Sequence, residues 1–168
     1  MLFITALALA ATSLLHVVSV DGNVLRKCFN ISGSFSIDLP NVYPESGDFD
    51  PATCNAYISS TGNNTLVIYH FPSATSRAVQ FPAISYSAEY LLDGIDFDRF
   101  SGDVYISAGA LPAFFTNGAN LTGPSVLIRY SPCQDCVVWM SNITDLVASL
   151  EAKLGHPIGG FQDQAEDR

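Results

Sequence analysis

The sequence predicts an all-β fold, either an antiparallel sandwich or a barrel, with about eight or nine strands and one C-terminal helix. The first observation is the segment 91–130, where short runs alternate apolar and polar residues and each run stops at Gly, Asn, Asp or Pro. The second is a single stretch near the end of the chain in which apolar residues recur at helical spacing. The third is composition, since 48% of the residues are hydrophobic and 14% are charged, as in a packed domain.

The chain divides into three predicted parts. Residues 1–22 predict a signal peptide, because positions 1–20 carry no charged side chain and their apolar core is short for a membrane span. An uncleaved anchor is the alternative. Residues 23–158 are long enough for one β-rich domain with one core, and residues 159–168 predict a flexible acidic tail.

The strand predictions follow from side-chain alternation. Residues 28–39 predict the first strand, because their apolar side chains mostly share one parity. Residues 41–53 contain two prolines, a glycine and three acids, and predict a loop. Further strands are predicted over 54–60, 66–71, 78–81, 84–92, 95–100, 103–108, 110–115, 125–130 and 137–140.

One local pattern occurs three times. Ser32-Gly33, Ser101-Gly102 and Thr122-Gly123 each precede an apolar alternation. Their spacings are irregular, so we predict a shared way of entering a strand from a turn and no solenoid or propeller period.

The predicted helix covers residues 143–154. Ile143, Leu146, Val147, Leu150 and Leu154 recur at helical spacing, and Gly and Pro follow them.

Charge and targeting signals point to an extracellular protein. The net charge is −9 and no Lys/Arg cluster is present, which disfavours nucleic acid and anionic membrane surfaces as partners. The sequence contains four Asn-x-Ser/Thr sequons, more than chance would supply, and they predict glycans on surface loops. These sequons begin at Asn30, Asn63, Asn120 and Asn142.

The four cysteines predict two disulfides in an oxidising compartment. We favour the pairs Cys28–Cys54 and Cys133–Cys136, with crossed pairings left open. A redox site is the alternative for the second pair. It is disfavoured because the β-branched run after Cys136 predicts a strand, whereas a reactive CxxC opens a helix.

The densest acidic group is the candidate for metal binding or catalysis. Carboxylates in this density could bind Ca²⁺ or form a catalytic pair for glycoside hydrolysis. The spacing does not match an EF-hand loop, and we favour a solvated outer strand face instead. The group consists of Asp93, Asp96, Asp98 and Asp103.

Three functions are compatible with these features. No nucleophile elbow, zinc motif or phosphate loop is present, and we predict no cofactor and no metal site beyond the acidic candidates. The favoured hypothesis is a secreted, non-catalytic module that binds a surface, a glycan or a protein. The alternatives are a lipocalin-like barrel that carries a small apolar ligand and an extracellular hydrolase that uses Asp carboxylates. The single tryptophan, Trp139, lies far from the first strand, so the lipocalin signature is missing and no family is assigned.

Overall fold

The computed structural model describes Cys28 and residues 36–158, which form two separate four-stranded antiparallel sheets. The predicted signal peptide, the acidic tail and Asn30 lie outside the described residues. The first sheet contains β1 (Pro44–Asp50), β2 (Asn55–Ser60), β3 (Thr65–His70) and β4 (Thr75–Val79). The second contains β5 (Tyr90–Phe97), β6 (Val104–Ala110), β7 (Val126–Ser131) and β8 (Cys136–Asn142). Two α-helices are present among these residues, the five-residue α1 (Leu111–Phe115) and the C-terminal α2 (Thr144–Leu154), and a short 3-10 helix covers Phe71–Ser73.

The all-β class with a C-terminal helix is confirmed, and of the two predicted architectures the sandwich-like one is present. In each sheet the spatial order of the strands equals their order along the chain. Each sheet is therefore a simple meander, and the chain crosses from one sheet to the other once, between β4 and β5.

Four element predictions are wrong. The separate strands predicted over 84–92 and 95–100 are one strand, β5, and residues 84–89 carry no strand structure. β1 lies inside the predicted loop 41–53, because its acid-rich and Gly-containing sequence becomes a strand by pairing with β2. In the predicted first strand, residues 36–39 carry no strand structure. The predicted strand 110–115 is instead α1, where Pro112 in the first turn favours helix over strand.

The core lies between the two sheets and is filled by side chains. β2 and β3 contribute Tyr57, Leu66 and Ile68, and these pack against the facing side of β5, β6 and β7. The segment between β4 and β5 adds Phe81 and Ile84. Burial raises the pKa of Tyr57 to about 12, which keeps its phenol neutral at physiological pH.

A group of three interactions joins the inner strands of the two sheets. The rings of Tyr57 and Phe97 stack with their centroids 5.3 Å apart and an interplanar angle of 20°. The Phe97 amide donates to Asp48 Oδ2 over 2.8 Å, and the Ile95 amide donates to Ser46 Oγ over 3.2 Å. No backbone ladder forms between β1 and β5, which belong to separate sheets. These three contacts therefore help to orient one sheet against the other.

A polar cluster joins the outer strands. Arg77 on β4 pairs with Asp135 at 2.9 Å and donates to the Tyr130 hydroxyl at 3.0 Å. Tyr130 also donates to Asp135, and that hydrogen bond, together with the Arg77 charge, lowers the pKa of the Asp135 carboxyl. The contact is partly exposed, so we assign it to alignment of the sheets more than to stability.

The two sheets are built on an internal repeat of 48 residues. The sequence Asp-Phe-Asp, six residues, then Tyr-Ile-Ser begins at Asp48 and again at Asp96. This repeat is distinct from the three Ser/Thr-Gly pairs, whose irregular spacings do not follow it. The repeat is hidden further along, because four residues (61–64) join β2 to β3 whereas fifteen (111–125) join β6 to β7.

The repeat encodes the same turn twice. The Asp50 and Asp98 carboxylates each accept from the backbone amide two residues later, that of Ala52 and that of Phe100, at 2.8 Å in both cases. Each turn then closes at a residue with positive φ, 61° at Cys54 and 75° at Gly102. These are aspartates that satisfy backbone donors inside a turn, as in Asx-turns.

Replacing Asp98 with Ala should lower the free energy of unfolding by about 2 kcal/mol, because a buried carboxylate then no longer accepts from the Phe100 and Ser101 amides. Chemical denaturation of the purified chain measures this. Asp98→Asn keeps an acceptor oxygen and should recover most of the loss. Asp38→Ala removes the same charge from an exposed position and should change stability by less than about 0.5 kcal/mol. Equal effects of the two alanine variants would contradict the structural role of Asp98.

Candidate functional site

The four predicted acidic candidates do not form one site. Asp98 closes the β5–β6 turn, and Asp103 accepts from Arg129 Nε at 2.8 Å and Nη2 at 2.6 Å. Asp96 lies on the outward face of the second sheet. Among the described residues no three His, Cys, Asp or Glu side chains are close enough to hold a metal ion.

The expectation of a solvated acidic face is also wrong for three of the four. Asp93, Asp98 and Asp103 are buried, with 3–6% of their surface exposed. Asp98 accepts from backbone amides and Asp103 pairs with the Arg129 guanidinium, and these interactions offset the cost of removing the carboxylates from water. These two carboxylates therefore have structural partners within the fold.

Asp93 differs from the others, because burial is the main influence on the pKa of its carboxyl group. It lies where the β5–β6 register shifts between Leu92 and Ile95. Burial, and secondarily the nearby charge of Glu45, raise the pKa of Asp93 to about 7. An unfolded aspartic acid titrates near about 3.9. The folded chain therefore holds this proton more tightly, and stability falls as the pH rises from about 4 to 7.

Asp93→Asn should match the wild type in stability near pH 4 and exceed it above pH 7, because the amide cannot ionise. We expect a gain on the order of 1 kcal/mol, or about 2–4 °C in melting midpoint. Thermal unfolding at several pH values between 4 and 8 measures it, with Asp38→Asn as the exposed control. If Asp93→Asn is less stable at every pH, the carboxylate stabilises the fold and the assigned cause of the shift is wrong.

The cysteines give one bridge of the expected two. Cys28 and Cys54 are disulfide-bonded with their Cα atoms 5.6 Å apart, which confirms that pairing and excludes the crossed ones. Cys133 and Cys136 are free and exposed, so the second predicted bridge is absent from the structure. The two residues between them form a turn and a strand, β8, follows, so this pair does not open a helix as a redox CxxC does.

Three of the four sequon asparagines can be placed. Asn120 and Asn142 are exposed, at the loop after α1 and at the end of β8. Asn63 lies partly exposed in the tight turn between β2 and β3. All three stand outside the core, on turns or strand ends.

A groove lies on the outer face of the first sheet, the side away from the second sheet. It holds about 540 Å³ and is mostly apolar. Phe49 and Ala56 face each other across β1 and β2, and Ile58 faces Gly47 one pair further along. The Phe71 ring lies at the end of the groove, 5.6 Å from the Phe49 ring. We call this surface the first-sheet groove.

Gly47 lines the β1 side of the first-sheet groove and places no side chain in it. A Cβ at this position would lie 3.0 Å from the Tyr57 carbonyl oxygen and 3.7 Å from Ile58 Cγ1. At the other end, Cys28 lines the groove and is tied to β2 through Cys54. The groove is thus set by a glycine, a disulfide and partly buried apolar side chains, and its lining also includes Asp48, whose carboxylate accepts from the Phe97 amide.

A second surface lies on the outward face of the second sheet. Asp96, Tyr105, Arg129 and Trp139 are successive register partners across β5, β6, β7 and β8. The Arg129 guanidinium lies 5.8 Å from the Tyr105 ring centre, and Tyr105 lies 6.2 Å from Trp139. Trp139 remains 38% exposed. We call these four residues the second-sheet row.

Both surfaces were missed by the sequence analysis. Their aromatic residues alternate along the strands in the same way as core residues do. The local sequence therefore does not distinguish a buried sheet face from an exposed one. The signal that could have found them is the 48-residue repeat, which identifies matching faces of the two sheets.

Comparisons with solved structures show a likeness of fold. No protein-family model matches the chain, and no curated protein sequence matches it. The solved structure of the major Malassezia sympodialis allergen Mala s 1 matches with a TM-score of 0.72 at 19% identity. The match covers 79% of this chain and 42% of the allergen chain, so this chain spans less than half the length of that protein. At this identity the likeness concerns the fold alone.

The described helices give no candidate membrane span, because none of them is both long and apolar enough.

Proposed function

We propose that the protein is a secreted, N-glycosylated, non-catalytic binding module whose ligand is a protein that inserts apolar side chains into the first-sheet groove. The observation that carries this proposal is the groove itself. Phe49, Ile58 and Phe71 leave apolar surface open in a folded, strongly acidic chain. Exposed apolar concavities in such chains are typical of binding surfaces.

The extracellular part of the proposal rests on three independent features. Residues 1–22 have the composition of a signal peptide, the three sequons that can be placed lie on turns, loops or strand ends, and Cys28 is bridged to Cys54. Disulfides persist in oxidising compartments.

The two alternatives have less support. A carrier needs a hollow interior, whereas the space between the sheets is filled by side chains such as Tyr57, Leu92 and Ile128, all with 1% exposure or less. A hydrolase needs two carboxyls facing one cleft. Asp98 and Asp103 instead bind backbone amides and Arg129, and Asp93 does not line the groove.

Ile58→Glu should weaken binding of a neutral apolar dye such as Nile red to dilute protein by about tenfold, because a charge in the groove must be desolvated. Fluorescence titration measures the dissociation constant, and circular dichroism checks that the variant folds. The matched control is Leu146→Glu, which puts the same charge at an exposed apolar position on α2. Equal dye affinity in wild type and Ile58→Glu would exclude the groove as a binding site.

The extracellular part is tested by expressing the full chain in a eukaryotic host. We expect it in the medium, shortened near residue 22, with Asn converted to Asp at occupied sequons after enzymatic deglycosylation. Mass spectrometry reads both changes, and Asn120→Gln, at an exposed sequon, should lower the glycan count by one. Retention in the cell with an intact N-terminus and no glycan would overturn this part.

A further inference from the structure

We propose that the partner in the first-sheet groove is a second copy of this chain, which binds it through the second-sheet row. The inference rests on the proposed function, since it names the protein ligand of the same groove. It is carried by the internal repeat, which shows the required interface already formed once inside the chain.

That internal interface joins the inward faces of the two sheets. On the first sheet it uses Asp48 and Tyr57, which are register partners on β1 and β2. On the second it uses Phe97, whose ring stacks on Tyr57 and whose amide donates to Asp48. Val104 and Ile106 on the same face are fully buried.

A shift of 48 positions maps the first half of this interface onto the second-sheet row. Asp48 corresponds to Asp96 and Tyr57 to Tyr105. Asp96 and Tyr105 are again register partners on the first two strands of their sheet. They point outward, and Tyr105 is partly exposed where Tyr57 is buried.

The same shift maps the other half of the interface onto the first-sheet groove. Residues Phe97, Val104 and Ile106 are buried against the first sheet, and their equivalents all line the groove. Those equivalents are Phe49, Ala56 and Ile58. In the second sheet, the surface equivalent to the groove is covered by the first sheet, which presents Asp48 and Tyr57 to it.

A second copy supplies that sheet. Its second-sheet row would place Tyr105 against Phe49 in the way that Tyr57 lies against Phe97, continuing the interface already present between the sheets. Trp139 adds an exposed aromatic side chain of the kind that anchors protein interfaces. Arg129 brings no unbalanced charge, because Asp103 already pairs with it.

This contact is head-to-tail, since two different surfaces meet. Such contacts close into a ring when the rotation between copies allows it. Four-stranded meanders packed face to face are the blades of β-propellers, which typically contain about four to eight blades. With two such sheets in each copy, a closed ring would hold about two to four copies.

The experiment uses the full chain purified from culture medium, with sedimentation velocity and native mass spectrometry over a range of concentrations. Wild type and Leu146→Glu should form one closed species of two to four copies, in line with the usual size of such rings. Ile58→Glu, which changes the groove, and Trp139→Glu, which changes the row, should each be monomeric. Should Ile58→Glu fail to fold, Phe49→Ser replaces it.

A mixture of Ile58→Glu and Trp139→Glu, measured in the same way, tests the head-to-tail contact directly. Each has one intact surface, so a 1:1 mixture should form a heterodimer that cannot extend. Self-association of Trp139→Glu alone, or no heterodimer in the mixture, would overturn the head-to-tail contact.

A wild type that stays monomeric at all concentrations would overturn the inference by itself. Nile red binding by Trp139→Glu, whose groove no copy covers, then separates the two proposals. Dye binding that Ile58→Glu abolishes would leave the groove as a site for another protein, whereas no dye binding would remove the proposed function as well.

Discussion

The stacked pair Tyr57–Phe97, with the Asp48 carboxylate accepting from the Phe97 amide, is the contact on which the structure depends. A four-stranded sheet alone leaves apolar side chains on both faces in water, and it becomes stable when one face is covered. Here each sheet covers one face of the other, and no backbone ladder connects them. Contacts that mostly involve side chains therefore join the sheets, with Asn64 hydrogen-bonded to backbone groups of Ser87, Tyr90 and Leu92, and the core from Leu66 to Ile128 lies around them.

The acidic residues serve this architecture more than they serve chemistry. Asp50 and Asp98 satisfy backbone donors in equivalent turns, Asp48 reaches across to the neighbouring sheet, and Asp103 holds Arg129. Carboxylates with hydrogen-bonded partners repay the cost of burial. Asp93 is the exception, since burial makes its ionised form unfavourable. A net charge of −9 is thus partly a consequence of how turns and sheet contacts are built.

Because of the 48-residue repeat, the first two strands of each sheet carry similar residues on their two faces. One face of each sheet is buried in the core between the sheets. The inward faces meet, while the first-sheet groove and the second-sheet row remain on the outside. Phe49 and Tyr105 are chemically the same as residues that are buried one repeat away, at Phe97 and Tyr57. Their open position is a property of the tertiary arrangement, because only one face of each sheet is covered by the other.

The sequence by itself determined the fold class, most of the strands and the C-terminal helix. β2, β3, β6, β7 and β8 combine clear alternation with β-branched or aromatic residues, so local propensity and tertiary demand agree. α2 ends at Gly155, whose positive φ of 72° is the usual helix C-cap. The Cys28–Cys54 pairing was also predicted, as the bridge that ties the first predicted strand across the acidic loop.

Tertiary structure decided the rest, for reasons that local sequence does not contain. β1 is a strand because β2 and β5 lie beside it, although Pro, Gly and acidic residues predict a loop there. Asp93, Asp98 and Asp103 were expected in solvent and are buried, since parity tells which side chains share a face but not what covers that face. For the same reason no local pattern could separate Tyr57 from Tyr105. Which of two identical side chains is buried depends on which sheet faces have partners, and that is fixed only when the sheets pack.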